Sequence, residues 1–175
     1  MTINIRKATA EDLNAVSEIY RNVIDIEEKG TVSTGWERDV YHTLSTAEAA
    51  LKRDDLFVEE LDGEVVGTAI LNHVQVDVYE NAPWQYAAED NEVMVIHTLA
   101  VRQDLKGMGL GKAFVDFYEK YALENGCHYL RMDTNERNTN ARKFYNKLNY
   151  KEIDIVPCKF NGIEGVRLVL LEKKI

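Results

Sequence analysis

Apolar positions along this chain recur with two periods, and the longest unbroken apolar run stands in the middle. Ile3 to Arg6 alternates apolar and polar, a first strand. Leu13, Val16, Ile19, Tyr20, Val23 and Ile24 then recur at helical spacing to about Lys29, with Thr9 and Asp12 as a cap and Gly30 as the stop. The stretch from 31 to 41 has no period. Ser45 and Glu48 fit a second capping box opening a short helix through about Arg53. Leu56 to Leu61 and Glu64 to about Val76 read as a hairpin, because Asp62-Gly63 suits a turn with φ > 0 at both centre positions. Asp77 to Asn91 is acidic and aromatic, a length of loop that a compact domain keeps for function or leaves disordered.

The central run, Val93-Met94-Val95-Ile96 continuing through Leu99-Ala100-Val101, predicts a strand buried on both faces. Behind it Leu110, Ala113, Phe114, Phe117, Tyr118 and Tyr121 predict a helix ending at Asn125-Gly126. Cys127 to Thr134 predicts a strand, and the three elements together a right-handed parallel unit. A short helix on Ala141, Phe144, Tyr145 and Leu148 follows, with Asn149 at a left-handed cap. Tyr150 to Val156 and Val166 to Leu171 close the chain as strands joined near Asn161-Gly162. The order βααββ, βαβ, αββ predicts an α/β chain of the α+β type, a mixed sheet with helices on both faces.

Between the central strand and its helix stand Gly107, Gly109 and Gly111. A strand, a glycine-rich turn and a helix start form an anion-binding device. The first-turn N–H groups lack intrahelical partners, the helix dipole adds positive charge, and no Cβ keeps a phosphate away. The spacing is not that of a P-loop, since no Ser or Thr follows Lys112, and no glycine completes a GxGxxG frame. A tight turn with a packed helix would explain the glycines alone equally well.

Composition narrows the partners. At 175 residues, with 45% hydrophobic and 29% charged residues, the chain is most simply one domain spanning 1–175. Its net charge of −9 disfavours a broad grip on nucleic acid. An anionic cofactor must therefore meet local positive groups, with Lys106, Lys112, Arg142 and Lys143 available. Absence of an apolar leader or membrane-length run, with Cys127 and Cys158 as reduced thiols, points to the cytoplasm and away from a membrane partner. No His, Cys and Asp cluster has the spacing of metal ligands.

The string Leu99-Ala100-Val101 followed by Lys106-Gly107-Met108-Gly109-Leu110-Gly111 resembles the coenzyme-binding motif of the GNAT superfamily, the acyl-CoA-dependent N-acyltransferases. Lys106 stands where Arg or Gln is usual, which keeps the charge and loses a planar donor. Asn138-Thr139-Asn140-Ala141-Arg142-Lys143-Phe144-Tyr145 resembles the family's second motif. The resemblance covers nearly the whole chain and implies a mostly antiparallel mixed sheet of about seven strands. It implies acetyl-CoA as cofactor, with Leu99, Ala100 and Val101 along the pantetheine arm and Lys106, Gly107, Met108, Gly109, Leu110, Gly111 and Lys112 at the diphosphate. Asn138 and Tyr145 also belong to the cofactor site, and Tyr145 matches the tyrosine that protonates the departing thiolate. Both also have plainer explanations, a helix cap and a packed aromatic.

An acceptor amine must lose a proton to a base titrating near working pH. His97 lies on the central strand where a family member has a histidine implicated in proton removal; Glu92, Glu89 and Asp90 are its rivals, and ordered water a further alternative. Nothing distinguishes His42, His73 and His128 beyond surface or packing roles. Trp36, Tyr41, Trp84 and Tyr86 are expected to wall the acceptor pocket, or else to cover core or make a homodimer contact. Asp39, Glu80, Glu89 and Asp90 would draw a cationic amine, or simply be solvated. The reading is acetyl transfer from acetyl-CoA to a primary amine of a small molecule or peptide by direct attack. A catalytically silent CoA-binding sensor or scaffold is the alternative, and a nucleotide-binding domain a weaker third.

Overall fold

In this computed structural model residues 1–30 and 33–175 are described; Thr31 and Val32, which open the aperiodic stretch, lie outside them. The described residues form seven strands in one mixed sheet, ordered β1-β2-β3-β4-β5-β7-β6, and four α-helices. β1 (Ile3–Lys7), β2 (Leu56–Leu61) and β3 (Glu64–Asn72) pair antiparallel in turn through β2. β4 (Val93–Val101) runs parallel to β5 (Tyr129–Asn135), which pairs antiparallel with β7 (Ile163–Lys174), and β7 with β6 (Lys151–Phe160). The chain gathers into two compact units. One holds residues 1–30, Trp36–Leu71 and His97–Tyr118; the other holds residues 33–35, Asn72–Ile96 and Glu119–Ile175.

In the first unit, α1 (Leu13–Lys29) follows a 3-10 turn at Ala10–Asp12, and the Thr9 N–H donates to Asp12 Oδ2 at 2.7 Å, as the capping pattern predicts. Its apolar stripe, Val16, Ile19, Tyr20 and Val23, packs with Ala47 and Ala50 of α2 (Leu44–Lys52) against Leu56, Val58, Ile70 and Ala100. Asp62 and Gly63 have φ of 51° and 89°, so the β2–β3 hairpin turns as read. Two boundaries and one cap conformation differ. α2 is capped by Thr43, whose N–H donates to Thr46 Oγ1 at 3.2 Å, because Thr43 is extended while Ser45 already lies in the first turn. α1 ends before Gly30 as expected, though Gly30 has φ −134° and not a left-handed conformation. β3 stops at Asn72, short of Val76, where the Asn72 side chain accepts the Val74 N–H at 2.9 Å and turns the chain.

The second unit is built on β5, β7 and β6. α3 (Leu110–Glu124) closes with Gly126 at φ 76° and Cys127 N–H donating to the Ala122 carbonyl at 2.9 Å. That closure takes Cys127 out of the strand, so β5 begins at Tyr129. Leu130 and Met132 are buried on one face of β5. α4 (Thr139–Lys147) is capped by the Asn138 side chain, which accepts the Ala141 N–H at 3.1 Å, and Asn149 takes the left-handed position after it with φ 66°. The final hairpin turns at Asn161-Gly162 as read, but its strands run up to the turn. β6 is the edge of the sheet, so it tolerates Pro157 and needs no alternating pattern.

Candidate active site

The first unit carries the anion-binding device. Thr98, inside β4, has φ 57°, a left-handed conformation rare for a β-branched residue. A left-handed residue departs from the extended backbone of the strand on either side of it. The β4–β5 register runs from Val93–Tyr129 to Val95–Arg131, so Leu99, Ala100 and Val101 lie past those three pairs. Ala100 is buried in the core, whereas Leu99 and Val101 are half-buried. A 3-10 turn at Gln103–Leu105 follows, pinned by the Gln103 N–H to the Asn22 side chain at 2.9 Å and by Gln103 Nε2 to the Val101 carbonyl at 2.9 Å.

Gly107 and Gly109 then adopt φ of 92° and 83°, and a Cβ on either would meet nothing within 4 Å. These glycines answer a backbone requirement, and the space their missing Cβ leaves is open. The Gly109 carbonyl accepts the first helical bond, from Ala113 N–H at 2.9 Å, so α3 opens at Leu110 with Gly111 inside its first turn. Leu110 is buried, and Lys106, Met108 and Lys112 are exposed around the turn. The first N–H groups of α3 have no acceptor within their own helix. Backbone donors beside this open space fit a diphosphate. Of the expected cations, Lys112 pairs with Asp116 at 2.6 Å and Arg142 with Glu152 at 2.7 Å, while Lys106 and Lys143 are exposed.

The same unit gathers His97 with two of the predicted pocket aromatics. His42 is buried, with Tyr20, Trp36 and Tyr41 around it; the Trp36 ring lies 4.1 Å from it, edge on. Burial, then the neighbouring charge of His97, holds His42 well below the ordinary imidazole range. Thr98 Oγ1 and His42 Nδ1 are 3.5 Å apart. His42 carried no motif, so nothing local distinguished it.

In the second unit, alternate side chains of β5 share one face: Arg131, Asp133 and Asn135. All three meet irregular segments. Arg131 lies over Trp84 at 4.2 Å, donates to Gln75 Oε1 at 2.6 Å and to the Tyr86 carbonyl at 3.1 Å, and pairs with buried Glu172 at 3.5 Å. Burial drives Arg131 down and Glu172 up, each opposed by the other's charge. Asp133 Oδ2 accepts the Tyr79 hydroxyl at 2.6 Å. Asn135 lies against Gly35, where an added Cβ would stand 2.6 Å from Asn135 Nδ2.

The 77–91 stretch is thus tied down. It includes 3-10 turns at Asp77–Tyr79 and Asp90–Glu92, Tyr79 is 1% exposed, and Trp84 Nε1 donates to the Tyr79 carbonyl at 2.9 Å. Trp84 and Tyr86 are half-buried packing anchors on β5, and Tyr86 lies 5.8 Å from Tyr129. Glu92, Glu89 and Asp90 are exposed, and Glu92 accepts the Glu89 N–H at 2.9 Å.

Tyr145 is buried on α4, its ring 5.1 Å from Phe144 and 5.9 Å from Tyr150. Burial first, then the charge of Asp133, raises its phenol and keeps it protonated through the neutral range. Asp133 is half-buried, and burial lifts it to about 6 while the Tyr79 bond pulls it back. Asp133 and Tyr79 are the pair that sequence reasoning missed: their contact spans 54 residues and neither belongs to a quoted motif.

Comparison with known proteins agrees with this geometry. The model of the GNAT acetyltransferase family matches residues 19–150. An uncharacterized N-acetyltransferase of Methanocaldococcus jannaschii is 24% identical over 170 residues, covering 97% of this chain and 91% of the relative. Among solved structures, a GNAT family acetyltransferase from Streptococcus agalactiae superposes with a TM-score of 0.81 at 20% identity, covering 99% of this chain and 95% of its own. The yncA protein of Salmonella typhimurium, solved with its cofactor acetyl-CoA, gives 0.70 at 18% identity over 99% and 94%. No helix among the described residues is long and apolar enough to cross a membrane. With its glycine turn, its second motif and a family model spanning most of its length, the chain belongs to the GNAT family of acetyltransferases, whose cofactor is acetyl-CoA.

Proposed function

We propose that the chain is an N-acetyltransferase that passes an acetyl group from acetyl-CoA to a primary amine by direct attack, its two units making one domain of the family. The observation that carries this reading is the open backbone at Gly107 and Gly109 ahead of α3. Lys106 to Lys112 receive the diphosphate there. Leu99, Ala100 and Val101, on β4 beyond its register with β5, run beside the pantetheine arm; the left-handed Thr98, which interrupts the extended backbone just before them, supports this. Asn138 both caps α4 and borders the cofactor. The single-domain reading is supported by solved relatives that match 99% of this chain.

Acetyl-CoA supplies the acetyl group as a thioester. Tyr145 gives the proton that the departing sulfur takes up, which requires a phenol still protonated at neutral pH, as burial ensures here. The amine's proton goes to a group on β4 or β5. His97 is the expectation from sequence, and the structure offers Asp133 as another. Trp84 and Tyr86, packed against β5, are the aromatic residues expected to border the acceptor.

The test is acetyl-CoA turnover over a panel of amines, wild type against Tyr145→Phe. The variant should lose about 10²-fold or more in kcat. Full turnover by Tyr145→Phe, with chemistry limiting the rate, overturns the acid role. Tight CoA binding with no turnover of any amine would instead make the chain a CoA-binding module.

A further inference from the structure

We propose that Asp133 takes the proton from the acceptor amine, and that Tyr79 is the positioning residue that aims its carboxylate. The proposal rests on the transferase reading above and adds the identity of the base and of the group that governs it.

Geometry comes first. Asp133 projects from β5 on the face shared with Arg131 and Asn135, and is half-buried. Its Oδ2 is taken by the Tyr79 hydroxyl at 2.6 Å. Among the described residues Oδ1 has no hydrogen-bond partner, so the carboxylate keeps lone pairs for a substrate N–H. Tyr79 is fixed rather than free to follow. It is 1% exposed, its carbonyl is held by Trp84 Nε1, its ring lies 5.2 Å from Trp84, and Trp84 is itself stacked beneath Arg131. A buried, braced phenol donating to one oxygen turns the other oxygen to a fixed direction. The charge of Asp133 acts directly on Tyr145, so the group suited to accept a proton lies in the electrostatic neighbourhood of the group that gives one.

His97 is placed differently. Its charge bears on His42, which sits among Tyr20, Trp36 and Tyr41. That cluster is part of the first unit.

The proton inventory closes. The amine enters uncharged, and its nitrogen forms a bond to the acetyl carbon as the carbon–sulfur bond breaks. One N–H proton passes to Asp133, and the Tyr145 phenol proton passes to sulfur. The carboxyl then releases its proton and the phenolate regains one, leaving amide and free thiol with no net proton consumed.

The groups facing Asp133 are Tyr79 from the 77–91 stretch, Tyr145 from α4 and Cys158 from β6, while the neighbouring Arg131 is matched by Glu172. Burial holds Asp133 near 6, so at neutral pH it is ionised and able to accept. Tyr79 bonds the charged form, so removing its hydroxyl raises that value.

The experiment compares pH profiles of kcat/KM for wild type, Asp133→Asn, Tyr79→Phe and His97→Gln, using acetyl-CoA and the fastest amine of the panel. Carboxyl carbon-13 NMR titration of aspartate-labelled wild type and Tyr79→Phe, without ligands, runs beside it. Wild type should lose activity below an apparent pKa near 6. Asp133→Asn should abolish that limb and lower kcat/KM about 10²-fold while still binding CoA. Tyr79→Phe should move both the limb and the Asp133 titration upward and recover most activity at higher pH. Retention of the limb in Asp133→Asn, or its disappearance in His97→Gln, overturns the assignment of the base. An unmoved Asp133 titration in Tyr79→Phe overturns the positioning role even if the variants are inactive. Wild type that acetylates no amine overturns the transferase reading, and the base role with it.

Discussion

Glu59 shows what one residue costs and permits. It lies on β2 directly opposite Gly67 of β3, is 0% exposed, and neither carboxyl oxygen has a protein partner among the described residues. Gly67 makes the space: a Cβ there would stand 2.6 Å from Glu59 Oε2. Burial alone pushes the carboxyl up to about 8. The folded state then holds a proton, between the ordinary value of 4.5 and about 8, that the unfolded chain has lost. Its contribution to stability therefore falls as pH rises through that window and levels above it. Glu59→Met removes the buried acid at similar volume. It should raise stability by a few kcal/mol at pH 9 and much less at pH 4.5, on the order set by the shift. Urea denaturation at the two pH values checks it, and an equal gain at both contradicts the mechanism. Thr98 is a second residue of this kind, held left-handed where its side chain disfavours it, so the tertiary structure over-determines its backbone.

At the level of elements, the turn between β4 and α3 separates two uses of glycine. Gly109 and Gly126 stand before and after α3 with φ of 83° and 76°, and neither has an atom within 4 Å of a would-be Cβ. Valine at either position carries the same backbone penalty, about 1–2 kcal/mol for a left-handed residue and more for a branched one. Only at Gly109 would the side chain enter the space proposed for the diphosphate. Gly109→Val should raise the KM for acetyl-CoA at least tenfold and Gly126→Val should not, with similar losses in Tm for both. Equal effects on KM would mean that the glycines serve the fold alone. The 77–91 stretch makes the complementary point. Its acidic residues are exposed, and its aromatic residues and one bond from the Gln85 N–H to Glu172 Oε2 at 2.9 Å fasten it to β5 and β7.

On the scale of the whole molecule, the sheet explains why the chain extends beyond the part its family model covers. The match ends at Tyr150, yet β7 pairs with all seven residues of β5, from Tyr129–Lys174 to Asn135–Leu168. Val169, Leu170 and Leu171 are 0% exposed. A chain cut after Tyr150 leaves β5 with an open apolar edge and Arg131 without buried Glu172. It should fail to give a cooperative thermal transition by circular dichroism, where the intact chain melts in one. A folded truncation would show that the final hairpin is an accessory.

The sequence by itself determined what rests on neighbours in the chain. The Asp62-Gly63 and Asn161-Gly162 turns, the Asn138 cap, the left-handed glycines and the stripe of α1 all follow from steric and hydrogen-bond requirements met within a few residues. The family motifs, being contiguous, were legible for the same reason, and they supplied the proposed acid Tyr145 and the proposed cofactor segment. Tertiary structure alone decided which polar groups are buried and whom they meet. Tyr79 reaches Asp133 across 54 residues, Arg131 reaches Glu172 across 41, and His42 approaches Thr98 across 56. A side chain's acidity and aim depend on desolvation and on partners chosen by strand order. That is why the proposed base lies on a strand that the sequence pattern marked without singling out Asp133.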